Sequence, residues 1–221
     1  MTVLVVAAHP DDEILGCGGT IARESRRGEK VHILILGEGA TSRAADQSAV
    51  SRLQNAARNA ASTVGAEAPR FLGLPDNRLD TVPLLEVVQA IEAVIDDVAP
   101  TQVYVQHGGD LNVDHASTYR AVLTATRPLP GGNIAGVYAF PVPSSTEWAF
   151  GSFTPRFTPQ RFVDISATLD RKVNALNCYS DEVRPAPHPR SIDAVTASAV
   201  HYGAMVGVAA AEPFSVVWEV C

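Results

Sequence analysis

The chain lacks the marks of several common protein classes. It has three cysteines, Cys17, Cys178 and Cys221, scattered and without a CxxC pair. Such spacing builds neither a zinc ribbon nor a disulfide framework, and it fits reduced thiols in a cytoplasmic protein. No apolar run approaches the roughly 20 residues that span a bilayer. The apolar start, residues 2–8, runs straight into His9-Pro10-Asp11-Asp12-Glu13, without the basic segment and cleavage site of a signal peptide. A soluble protein without a membrane span is expected. Basic clusters are also scarce: the one run, Arg23, Arg26, Arg27 and Lys30, is interrupted by Glu24 and Glu29, and the net charge is −7. Phosphate-backbone binding needs clustered Lys and Arg, so nucleic acid is excluded as a partner. There is no GxSxG elbow for a serine hydrolase, despite Ser144, Ser145 and His188. No internal repeat, low-complexity tract or linker divides the chain.

What is present suits an α/β fold. The composition, 46% hydrophobic and 19% charged, can bury a core. Residues 2–8, 31–36, 70–74 and 101–106 read as short buried strands. Residues 13–27, 48–64, 82–98 and 114–125 carry helical spacing, the third with Leu85, Val88, Ile91 and Ile95 on one stripe. The alternation predicts βαβ units, a mostly parallel sheet and helices on both faces. After Pro128 the pattern changes: strands are expected at 134–140, 162–165 and 214–219, and helices at 167–177 and 194–203. The expected organisation is one Rossmann-like domain over 1–221. A βαβ core fills 1–126, and 127–221 supplies substrate-site loops and closing elements.

Two segments carry chemistry. His9-Pro10-Asp11-Asp12-Glu13 follows the first strand, and Gln106-His107-Gly108-Gly109-Asp110-Leu111-Asn112-Val113-Asp114-His115 follows the fourth. The carboxyl ends of parallel strands are where such sheets bind ligands. Grouped carboxylates there are costly unless a cation or hydrogen bonds compensate, and imidazole with carboxylate suits zinc. The plainer reading is local: Asp11 or Asp12 caps a helix, Asp110 and Asp114 serve Asx turns and caps, and His115 is a surface residue. Capping accounts for one carboxylate of the first segment, and leaves its histidine and the second carboxylate unexplained.

The two segments resemble the signature motifs of the PIG-L (LmbE-like) deacetylases. Leu15-Gly16-Cys17-Gly18-Gly19-Thr20, Gly73-Leu74-Pro75-Asp76, Pro187-His188-Pro189-Arg190-Ser191 and Ala211-Glu212-Pro213-Phe214 support the resemblance. It implies a zinc-dependent hydrolase that removes an N-acyl group, commonly acetyl, from an amino sugar or glycoconjugate, and it favours a homo-oligomer. By motif position the zinc ligands fall on His9, Asp12 and His115, the general base on Asp11, and a contact to sugar hydroxyls on Asp76. Many members carry a histidine where this chain has Asn112. An amide there can donate to an oxyanion but cannot carry a proton, so His107 or His188 is the alternative source of an imidazole. Asp114 is expected to orient a histidine, and Arg52 to reach the substrate.

Other signals read as structural. Gly16-Cys17-Gly18-Gly19 follows the acidic cluster, so the glycines are expected to allow close packing, not to cradle a phosphate. Cys17 is then a small buried hydrophobe. His32 is expected in the core, His201 beside Tyr202 has a structural role, and Trp148 either stacks on a sugar or anchors its loop. A non-catalytic sugar- or partner-binding module on the same scaffold is the alternative function.

Overall fold

The computed structural model describes residues 1–41 and 47–220; Cys221 lies outside them. Among the described residues seven strands form one sheet: β1 (Thr2–Ala7), β2 (Lys30–Gly37), β3 (Arg70–Leu74), β4 (Gln102–Gln106), β5 (Gly136–Phe140), β6 (Arg161–Asp164) and β7 (Ala211–Glu219). Their order is β3-β2-β1-β4-β5-β7-β6. The first five are parallel, while β7 pairs antiparallel with both β5 and β6. The chain winds outward in one direction from β1 and in the other from β4. The switch point therefore lies between the two strands whose ends carry the His/Asp segments.

Helices cover the sheet: α1 (Asp12–Arg26), α2 (Gln47–Val64), α3 (Leu84–Val98), α4 (Val113–Ala125), α5 (Leu169–Leu176) and α6 (Ile192–Val206). Alternation along the strands serves both faces, as a doubly covered sheet requires. Val3, Val5, Ile33 and Ile35 pack with α1, α2, α5 and α6, while Leu4, Val6, Leu34 and Leu36 pack with α3 and α4.

Three expectations change. Leu85 is 65% exposed, and α3 buries Val87, Val88, Ile91 and Val94 instead. The helix starts after Pro83, and its contact with both the sheet and α4 rotates the buried stripe away from residue 85. His32 is only half-buried, because it sits near the start of β2 before the strand is fully covered. The helix expected at 13–27 breaks at Cys17 (φ −142, ψ 23). Glu212 accepts the freed amides of Gly19 (2.9 Å) and Thr20 (2.7 Å), and Lys172 donates to the Leu15 carbonyl (2.8 Å) and to Glu212 (2.6 Å). The glycines let α1 press onto the sheet. A Cβ on Gly16 would lie 2.0 Å from the Phe140 ring, and one on Gly19 would lie 2.7 Å from Ile165.

Candidate metal centre

His9 lies two residues past the end of β1, Asp12 opens α1, and His115 lies in the first turn of α4. Because β1 and β4 are neighbours, these three side chains meet: one ligand atom from each lies within 4.8 Å of the others. Asp12 Oδ2 is 3.5 Å from His9 Nδ1 and 3.2 Å from His115 Nε2.

Each imidazole has a carboxylate behind it. His9 Nε2 is 2.9 Å from Asp114 Oδ2, and His115 Nδ1 is 3.2 Å from Asp110 Oδ2. Such partners set the tautomer and the ring orientation of a metal-binding histidine. Asp114 is itself held by the backbone N–H groups of Asn77 (2.7 Å) and Leu79 (2.9 Å). Asp110 accepts from the Asn112 amide (2.9 Å), from Thr146 Oγ1 (2.7 Å) and from Ser145 Oγ.

The residues fit a divalent cation. Asp12 Oδ1 and both ring nitrogens of His115 are buried without an aligned hydrogen bond, and such atoms cost about 1–3 kcal/mol each when left unmatched. A second group, His9, Asp76 and Asp114, is equally close. There, however, Asp114 already accepts two backbone amides and the His9 Nε2 contact, so the orphaned atoms favour the first set.

Burial and carboxylate charge oppose each other throughout the cluster. Burial lowers the His9 pKa, but Asp114 and Asp12 outweigh it and raise it to about 10. His115 behaves alike: burial is overcome by Asp12 and Asp110, and the pKa rises to about 9. Burial pushes Asp12 up, yet the two imidazoles hold it below the usual range. Glu13 is raised to about 7 by burial, against the donated Tyr179 hydroxyl. Asp11 is raised to about 8, mainly by burial and against the nearby Arg190 guanidinium.

Asp11 stands apart from the three candidate ligands. Its φ of 113° places a non-glycine residue in a disfavoured region, a strain found where surrounding structure over-determines the backbone. Its N–H donates to Glu13 Oε2 (3.0 Å), and its Oδ2 accepts from Arg190 Nη1 (2.7 Å). From the sequence, Arg190 beside Pro187-His188-Pro189 reads only as part of a loop able to contact substrate, with no role toward Asp11. Tyr179 and, as a support of His115, Asp110 were not among the sequence candidates. Arginine in a proline-stiffened loop was the available signal.

The remaining candidates divide. Asp76, 4% exposed, lies 3.4 Å from His9 Nε2. Asn112 caps α4, accepting from the Asp114 amide (2.8 Å) and donating to Asn77 Oδ1 (3.2 Å). His107 lies outside the cluster: its Nε2 is 2.8 Å from the Pro155 carbonyl, and its ring packs on Tyr119 and Phe157. His188 accepts the Arg190 amide through Nδ1 (3.1 Å) and meets Trp148 edge-on at 5.5 Å. Arg52 is exposed on α2, donating to Ser48 (2.7 Å). A cavity of about 580 Å³ is lined by Leu15, Phe150, Phe157, Val195, Lys172 and Tyr202 among others and by none of the three candidate ligand residues.

Residues 4–126, more than half of the chain, match the family model described as PIG-L, GlcNAc-PI de-N-acetylase. The chain belongs to the PIG-L family. Among similar proteins is a 1D-myo-inositol 2-acetamido-2-deoxy-alpha-D-glucopyranoside deacetylase of Mycobacterium sp. (strain JLS), 27% identical, with 86% of this chain and 76% of that protein covered. The crystal structure of the conserved protein TT1542 from Thermus thermophilus superposes with a TM-score of 0.78 at 26% identity, covering 99% of this chain and 96% of that one. GalB, the 4-carboxy-2-hydroxymuconate hydratase of Pseudomonas putida KT2440, superposes at 0.77 with 22% identity, covering 100% and 97%. The last likeness shows the fold alone, and it illustrates that a fold does not choose a reaction. Among the described residues no helix is long and apolar enough to cross a membrane.

Proposed function

We propose that this protein is a zinc-dependent amide hydrolase that removes an acetyl group from the nitrogen of an N-acetylated amino sugar or its conjugate. One observation carries the reading. A set of two imidazoles and one carboxylate with unmatched buried atoms sits beside a second carboxylate, Asp11, that belongs to no ligand group. Family membership and the deacetylase relatives supply the reaction class, and the borderline donor set favours zinc. The scattered cysteines support a cytoplasmic setting.

When bound, the cation supplies Lewis acidity toward water and the acyl carbonyl. His9, Asp12 and His115 hold it, with Asp114 and Asp110 orienting the two rings. Asp11 takes the proton of the attacking water as the new C–O bond forms. It returns a proton to the sugar nitrogen as the C–N bond breaks, leaving acetate and a free amine. Asp76, beside His9, is positioned to accept from sugar hydroxyls. Asn112 retains a donor in its amide, although its oxygen is committed to the cap.

The test is metal analysis followed by amine and acetate release from N-acetylglucosamine and its conjugates. One zinc per chain with stoichiometric acetate and amine is expected. A zinc-loaded protein that releases neither from any N-acetylated sugar would make it a binding module on this scaffold and end the proposal.

A further inference from the structure

Arg190 makes a network that the ligand set does not require. Its backbone is pinned: its N–H donates to His188 Nδ1 (3.1 Å), and Ser191 beside it caps α6 by accepting the Ala194 amide (3.1 Å). Its side chain is pinned as well. Nε donates to Ser144 Oγ (2.9 Å), and Nη1 donates to Asp11 Oδ2 (2.7 Å) and lies 3.5 Å from Glu182 Oε2. Three separate segments, carrying Ser144, Glu182 and Asp11, thus define where the guanidinium sits. Its side chain is mostly buried, with 21% exposed, so the pair with Asp11 is better shielded from solvent than an ordinary surface ion pair.

The grip on Asp11 is one-sided. Oδ2 takes the guanidinium, while Oδ1 accepts from no protein donor among the described residues. The backbone of Asp11 is held in its strained conformation at the same time, with its N–H on Glu13. A carboxylate fixed at one oxygen and at its backbone presents the other oxygen in a single direction. Proton transfer depends on that alignment, since the acceptor must lie within hydrogen-bond reach of the proton it takes.

We propose that Arg190 is a positioning residue for Asp11, holding Oδ2 so that Oδ1 is the atom that accepts the proton. The inference rests on the hydrolase reading above. The planar guanidinium suits the task because separate N–H groups bind Ser144 and Asp11 at once, which an ammonium on a flexible stem cannot reproduce in the same geometry.

The experiment compares wild type, Arg190→Ala and Arg190→Lys by metal content, by kcat and KM for acetate release from N-acetylglucosamine, and by rescue of the alanine variant with added guanidinium. Arg190→Ala is expected to keep its zinc and a KM within about threefold, and to lose about 100-fold in kcat, the scale of a misplaced reacting group. Guanidinium at a non-denaturing concentration should restore part of that loss where equal sodium chloride does not, and Arg190→Lys should fall between. An unchanged or raised kcat, a loss confined to KM, loss of zinc, or no recovery with guanidinium overturns the role. A double-mutant cycle in Tm with Asp11→Asn reads the contact without any substrate. Non-additive losses are expected, and additive losses overturn the grip itself. Non-additive losses in a wild type that releases no acetate would keep the contact and remove the hydrolase reading, the positioning role with it.

Discussion

The junction after β1 and the junction after β4 supply the same candidate centre and are built in different ways. After β4 the backbone is unstrained, and the carboxylates accept from neutral amides and hydroxyls. Asn112 caps α4 at an ordinary φ of −81°, Asp110 takes the Asn112 amide, and Asp114 takes two amides from residues 77 and 79. After β1 the helix has no side-chain cap bond, Asp11 is strained at φ 113°, and Asp11, Asp12 and Glu13 are each 3% exposed or less. Two of these carboxylates depend on donors far along the chain: Arg190 lies 179 residues from Asp11, and Tyr179 lies 166 from Glu13. A junction with ordinary backbone and neutral donors can orient its side chains without strain. A junction that concentrates buried carboxylates on a strained backbone can do chemistry, and it needs charged and hydroxyl donors from distant parts of the fold to stay in place.

The sharpest way to break this contrast is to substitute across the two junctions. Asp11→Asn should keep its metal and lose about 10²- to 10⁴-fold in turnover, whereas His115→Ala should lose metal and turnover together. Metal analysis beside acetate release separates them, and metal loss from Asp11→Asn would make the first junction a ligand site throughout. Next in size is pH. In the metal-free protein both imidazoles keep their protons at neutrality, with pKa values of about 10 and about 9. A cation must displace those protons. Zinc affinity measured by competition with a chelator should therefore rise from pH 7 to pH 9, by up to about tenfold per unit for each proton displaced. A flat profile would mean that the rings are already neutral. The same shifts carry a sign for stability. A histidine raised above its unfolded value of 6.5 stabilises the metal-free fold fully below that value, and the contribution is lost as pH rises through 9 to 10.

Smaller effects test the supports. Asp114→Asn, which weakens the partner behind His9, should reduce zinc affinity by about 10- to 100-fold with turnover at saturating zinc much less affected. Tyr179→Phe removes the hydroxyl that donates to buried Glu13, and should lower stability by about 1–3 kcal/mol in denaturant unfolding. Last comes the junction after β4. Asn112→Ala should lose about 1 kcal/mol of helix capping, and Asn112→Ser should recover it. Full turnover in the serine variant would assign Asn112 to the cap alone, while a kcat loss in both variants would add an oxyanion contact.

Much of this was readable along the chain because the signals are local. The valine- and isoleucine-rich runs mark β1, β2 and β4. The polar segments that interrupt them mark the junctions, and β3 falls on the residues expected. Where the reading failed, a distant packing partner intervened. The stripe through Leu85 ignored the second neighbour of α3, and His107 looked like a spare imidazole until the loop at Pro155 closed over it. Asp110 reads as a turn residue from its neighbours alone, and becomes a support of His115 only when α4 begins beneath it. Arg190 carries no local sign of its partner.

Residue order alone was enough to specify alternating strands and helices, the two histidine–aspartate junctions and the kinds of atom they offer a metal. Those features depend on neighbours a few positions apart. Strand order decided the rest: which ring nitrogen faces Asp12, which oxygen of Asp11 is left free, and which arginine grips the other. The His115–Asp12 and Arg190–Asp11 contacts join residues 103 and 179 positions apart, and they exist only because β4 lies beside β1 and the chain returns to place residues 144, 179 and 190 over that edge.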